Sequence, residues 1–159
     1  MRSLAEMSIA AALLCVPTGA NAGNLLGQAS VIDGDTLEIH GQRIRLHGID
    51  APESGQTCTA GGQTYRCGQK AAQALSDKIG QQTVRCEQRD TDKYGRAVAV
   101  CRIGAEDLNA WMTLQGWALA YRQYSKDYVS QEQEAQAAKR GVWTGTFQAP
   151  WDWRKKKRQ

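Results

Sequence analysis

At 159 residues the chain has the length of one domain, which argues against a second one. It carries 20 lysines and arginines against 16 aspartates and glutamates, a formal net charge of +4. A balance that mild favours polyanion partners without requiring them. No internal repeat or low-complexity tract appears before the closing basic run RKKKR, Arg154 to Arg158.

The start reads as a secretory signal over residues 1–22. Arg2 precedes the apolar run SIAAALLCV, then Pro17 and the small-x-small end ANA, with cleavage expected after Ala22. Glu6 is unusual in such a start. The run is too short to span a bilayer, so no stable membrane insertion is expected after cleavage. An uncleaved anchor is the alternative. Lipid attachment at Cys15 is disfavoured because Leu14 is bulky.

Alternation over residues 37–39 and 44–46 predicts two strands joined by a turn at His40-Gly41-Gln42. A loop from Pro52 to Cys67 is expected next. Ala71, Leu75 and Ile79 recur at helical spacing, and Gly80 supplies a stop. Residues 83–90 and 96–103 read as two strands joined by TDKYG. If the turn centres near Lys93-Tyr94, Cys86 lies opposite Cys101, within disulfide reach. A bulge at Gly95 would shift that register by one. Leu108, Trp111 and Met112 mark a second helix ending at Gly116. A third is expected over residues 130–140, with Ser130 and Gln133 as a capping box and Lys139 and Arg140 at its negative end. This order of elements is that of an α+β domain.

Cys58, Cys67, Cys86 and Cys101 remain after the signal. An even number in an exported chain predicts two disulfides. Their spacing lacks the close pairs that a four-cysteine zinc site uses.

Four carboxylates gather around the early strands: Asp33, Asp35, Asp50 and Glu53. Brought together they would need a cation, and oxygen-only donors suit calcium or magnesium. The bland alternative is a set of turn and capping residues. Arg45 and Arg96 add a specific use, since guanidinium forks grip a phosphodiester and the charge of its transition state.

The segments VIDGDTLEI, IRLHGIDAPES and TDKYGRAVAV resemble, in that order, the staphylococcal nuclease family. The resemblance implies a five-stranded β-barrel of the oligonucleotide-binding type with three α-helices. It implies a calcium-dependent endonuclease that cuts DNA and RNA and leaves 3′-phosphates. Asp35, Asp50 and the Ala51 carbonyl match the metal ligands, with Asp33 as an outer carboxylate. Glu53 matches the residue that orients or deprotonates the attacking water. Arg45 and Arg96 match the phosphate-binding arginines. Lys93 and Tyr94 match a pair that holds a terminal phosphate, and either Tyr121 or Tyr124 lines that pocket. Cys58 and Cys67 would staple the loop after Glu53.

The domain is expected over residues 23–153, followed by a basic tail over 154–159 that either contacts phosphates or solubilises. A secreted or periplasmic monomer is expected. The rival reading is a nucleic-acid-binding module of the same fold with catalysis lost. The joint presence of Asp35, Asp50, Glu53, Arg45 and Arg96 argues for the enzyme. His40 and His47 are assigned no role, and the late tryptophans are read as packing.

Overall fold

The computed structural model describes residues 23–159, so the signal expected over residues 1–22 lies outside the described residues. From Gly23 the chain enters β1 (Asn24–Gln28) and β2 (Ser30–Asp33), which are separated only by Ala29. Then come β3 (Thr36–Ile39), β4 (Gln42–Leu46) and the short β5 (Ile49–Asp50). Period-two alternation works as predicted here. Leu37, Ile39, Ile44 and Leu46 all point into the core, which leaves Arg43 and Arg45 on the opposite face of β4.

The stretch expected as a loop contains a small hairpin, β6 (Cys58–Ala60) and β7 (Gln63–Tyr65). Helix α1 (Cys67–Ile79) follows and buries Ala71, Leu75 and Ile79. Strands β8 (Thr83–Thr91) and β9 (Ala97–Ile103) form the predicted hairpin. Its irregularity falls between Gln88 and Asp90 and not at Gly95; the pairing shifts by one residue there, and that shift sets Cys86 directly opposite Cys101. Next are β10 (Glu106–Asp107), α2 (Leu108–Leu114), β11 (Leu119–Ala120) and α3 (Val129–Ala137). A 3₁₀ turn at Gly141–Thr144 leads to α4 (Pro150–Lys157).

The architecture is mixed α+β. The main sheet runs in the order β1-β8-β9-β4-β3-β2, with β10 beside β9. Only the β4–β9 pair is parallel. Strands β1 and β2 are neighbouring stretches of chain, yet they pair with opposite ends of the sheet, β8 and β3. The sheet therefore curls, and the His40 ring nitrogen reaches the Leu26 carbonyl of β1 at 3.2 Å. This corrects the expected counts. The sheet has seven strands where five were expected, because the bend at Ala29 splits one run into two and β10 adds a short rung. Among the described residues the α-helices are four and not three, because the stretch read as a tail begins inside α4.

The third helix also differs from expectation. Its cap position is Tyr128, with no side-chain capping bond, and Ser130 donates to Gln131 inside the helix. Burial of Tyr128, whose hydroxyl donates to Asp107, fixes the start two residues before the expected cap. Lys139 and Arg140 lie beyond the helix end, and Arg140 instead donates to the Leu114 carbonyl of α2.

Where the parallel pair ends, buried Asn109 takes over the hydrogen bonding. It accepts from the Cys101 amide and donates to the Ala99 and His47 carbonyls at 2.9–3.1 Å. Satisfied in this way, a buried amide can hold the split between β9 and the chain entering β5. That split carries Asp50 away from the sheet, where β5 pairs with β11.

Candidate active site

Two tight backbone approaches build the site. The turn from β2 to β3 passes so close to the next layer that a Cβ on Gly34 would lie 2.7 Å from Ala51 Cβ and 2.8 Å from Ala71 Cβ. Only glycine fits there without displacement. The approach lets the Asp35 carboxylate accept from the Ala51 amide at 2.9 Å. Gly68, at the start of α1, sits against the Glu53 carbonyl, where a Cβ would come within 1.7 Å. Buried Gln56 pins the same loop. Its side chain accepts from the Glu53 amide at 3.2 Å and donates to the Gln148 carbonyl at 2.6 Å.

Arg45 lies between the two aspartates. It donates to Asp35 Oδ1 at 3.3 Å and to Asp50 Oδ1 at 2.9 Å. Asp35 also accepts from the Thr36 hydroxyl at 3.1 Å. Asp33 accepts from the Asp35 amide at 3.0 Å and so shapes the turn. Burial pushes the Asp35 carboxyl up to about 6, opposed by Arg45 and reinforced by Asp33. Burial also raises Asp50, against the hydrogen bonds and charge of Arg154 and Arg45.

Arg96 is placed differently. It lines the same cleft, of about 740 Å³, but its Nε donates to Asp92 Oδ2 at 2.7 Å. Lys93 and Tyr94 stand exposed at the hairpin tip, with the Lys93 ammonium 5.0 Å and the Arg96 guanidinium 5.6 Å from the Tyr94 ring centroid. Tyr121 and Tyr124 both line the cleft, their rings meeting edge-on at 4.8 Å. Tyr121 is half-buried and lies flat against Trp151 of α4, whereas Tyr124 is exposed.

The residue missing from the sequence reading is Arg154. Its Nη1 donates to Asp50 Oδ1 at 2.9 Å and Glu53 Oε1 at 2.7 Å, and its Nη2 donates to Asp50 Oδ2 at 2.7 Å. Hydrogen bonding to Asp50 and Glu53 raises its already high pKa further, so it is always charged. A signal for its helix was present. Pro150 takes a first helical position, Asp152 sits in the first turn and the bases in the last.

As donors, Asp35, Asp50 and the Ala51 carbonyl fit a hard cation, being oxygens only. Among the described residues no three acidic, histidine or cysteine side chains stand grouped to hold a metal ion. At Asp50 and Glu53 the guanidinium of Arg154 is the cation between the carboxylates.

Residues 43–145 match the family model described as staphylococcal nuclease homologue. The chain belongs to the staphylococcal nuclease family. The match begins after Asp33 and Asp35, so those two rest on the geometry of the turn. A micrococcal nuclease of Shigella flexneri is 34% identical over 79% of this chain and 77% of its own length. An uncharacterized endonuclease of Haemophilus influenzae is 35% identical, over 80% of this chain and 71% of that protein. The succinoglycan biosynthesis protein ExoI of Rhizobium meliloti is 40% identical, over 86% and 73%. Both expected disulfide pairs are within bonding distance, with Cα separations of 5.6 Å for Cys58–Cys67 and 4.0 Å for Cys86–Cys101. Among the described residues no helix is long and apolar enough to cross a membrane.

Proposed function

We propose that the protein is a secreted or periplasmic calcium-dependent nuclease that hydrolyses DNA and RNA to 3′-phosphate products. The observation that carries this reading is the Arg45 bridge between two buried carboxylates in a cleft that also presents Glu53 and Arg96. Family membership supports a nuclease activity, and the curled sheet supports an oligonucleotide-binding barrel.

Calcium held by Asp35, Asp50 and the Ala51 carbonyl would neutralise charge at the scissile phosphate. Arg45 and Arg96 would bind phosphate oxygens and stabilise the charge that builds on them. Glu53 would orient or deprotonate a water for in-line attack on phosphorus. The P–O5′ bond then breaks, leaving a 3′-phosphate and a 5′-hydroxyl. Asp33 acts behind the site by shaping the turn that presents Asp35. Lys93, Tyr94 and a tyrosine of the pair Tyr121 and Tyr124 would hold the neighbouring phosphate. The mature chain would begin at Gly23 and act as a monomer.

Incubating the purified mature protein with single- and double-stranded DNA and with RNA tests this, in calcium and in chelator. Cleavage in calcium alone, with ends that need a phosphatase before a polymerase extends them, is the expected result. Binding without cleavage in calcium would instead favour the inactive binding module.

A further inference from the structure

We propose that Arg154 is a tethered competitor for the divalent cation, occupying the carboxylate oxygens of Asp50 until the ion displaces it. This rests on the calcium reading above. Asp50 is fully buried, and Arg154 engages both of its oxygens while Arg45 holds one of them as well. A carboxylate offers about four lone-pair directions. Three are already used, and the guanidinium fork places its positive charge where an ion drawn to Asp50 would have to sit. The same fork holds Glu53 Oε1, so one cation ties together a metal-side carboxylate and the water-handling one.

Displacement is mechanically easy. Arg154 projects from the last helix, 104 residues away from Asp50 in sequence, and its side chain is 31% exposed. Its guanidinium can leave for solvent or for a phosphodiester in the cleft without unpacking the core. The helix itself stays anchored through buried Pro150 and the Trp151–Tyr121 stack, whose planes are 2° apart. Arg45 differs, since it comes from a central strand and bridges both aspartates.

Calorimetric titration of calcium into the nucleic-acid-free mature protein, wild type and Arg154→Gln, tests the proposal. Arg154→Gln is expected to bind calcium roughly tenfold more tightly, a size typical of coupled sites. Calcium should also raise its Tm further than that of the wild type. Arg154→Lys keeps the charge but loses the fork, and should fall between the two; it also serves if the glutamine variant does not fold. Arg158→Gln removes a charge from the same cleft without touching Asp50, and should stay within about twofold of wild type because an unpaired surface charge is screened. Equal or weaker calcium binding in Arg154→Gln overturns the competition while leaving the calcium reading intact. So does an equal gain in Arg158→Gln, which would make the effect one of net charge. If neither wild type nor variant binds calcium, the competition and the calcium reading fail together.

Discussion

The Asp35 carboxylate accepts a hydrogen bond from the Ala51 amide at 2.9 Å, sixteen residues further along the chain. This contact joins the turn after β2 to the residue that follows Asp50. It depends on Gly34, because a side chain there would collide with Ala51 and Ala71. Gly34→Ala is therefore expected to cost about 1–3 kcal/mol through overpacking. It should also lower activity by moving Asp35. Denaturant unfolding and turnover measured on the same preparation check this, and an unchanged stability would contradict the tight approach.

Glu53→Gln and Arg96→Gln are each expected to lower turnover by about 100-fold or more. Both side chains reach the cleft from loops around the core, so Tm should barely change for Glu53→Gln and fall only modestly for Arg96→Gln, which loses its bond to Asp92. Near-wild-type kcat in either variant would remove that residue from the proposed chemistry.

The two disulfides are predicted to behave differently. Cys58–Cys67 closes the segment between the Glu53 loop and α1, whereas Cys86–Cys101 is buried under the sheet hairpin. Replacing either pair with alanine should cost roughly 2–4 kcal/mol. Only the Cys58–Cys67 pair should also alter kcat, because Gln56 and Gly68, which hold the Glu53 backbone, flank that segment on its two sides. Turnover that is identical with that bond open would sink the restraint.

Asp92 makes a prediction about pH. Burial alone raises its carboxyl, but hydrogen bonds from Arg96 and Tyr94 outweigh this and leave it below the ordinary 3.8. A carboxyl with a depressed folded-state pKa stabilises the fold above its unfolded pKa. That contribution is lost as pH falls through the lower folded value. The Tm difference between wild type and Asp92→Asn should thus be constant from near neutrality down to about pH 5, and shrink in more acid solution. A difference that persists undiminished at low pH would show that Asp92 acts through its shape and not its charge. The same variant should raise KM, since Arg96 loses its partner at 2.7 Å.

Much of this could be read locally. Alternation at Leu37, Ile39, Ile44 and Leu46 follows from the two-residue period of a strand half-covered by core. The helical spacing of Ala71, Leu75 and Ile79 likewise reflects one buried face. The Cys86–Cys101 pairing was legible as a hairpin register, but it is a shift between Gln88 and Asp90, on the turn side of Cys86, that sets the two cysteines opposite each other. The third helix was less legible. Its start is set by burial of Tyr128 against distant Asp107, which overrode the local capping pattern at Ser130.

The sequence by itself determined the chemistry available: carboxylates at Asp33, Asp35, Asp50 and Glu53, the guanidinium groups of Arg45 and Arg96, and an even set of cysteines after residue 22. Tertiary structure alone decided who holds whom. It brought Arg154 from the basic run onto Asp50 and Glu53, and seated Gln56 between Glu53 and Gln148. The Arg154 and Gln148 contacts join groups about ninety to a hundred residues apart, over which neither spacing nor periodicity carries information. A charge run reads as a solvated tail until its helix is docked, and only then does a buried carboxylate show which base it has drawn in.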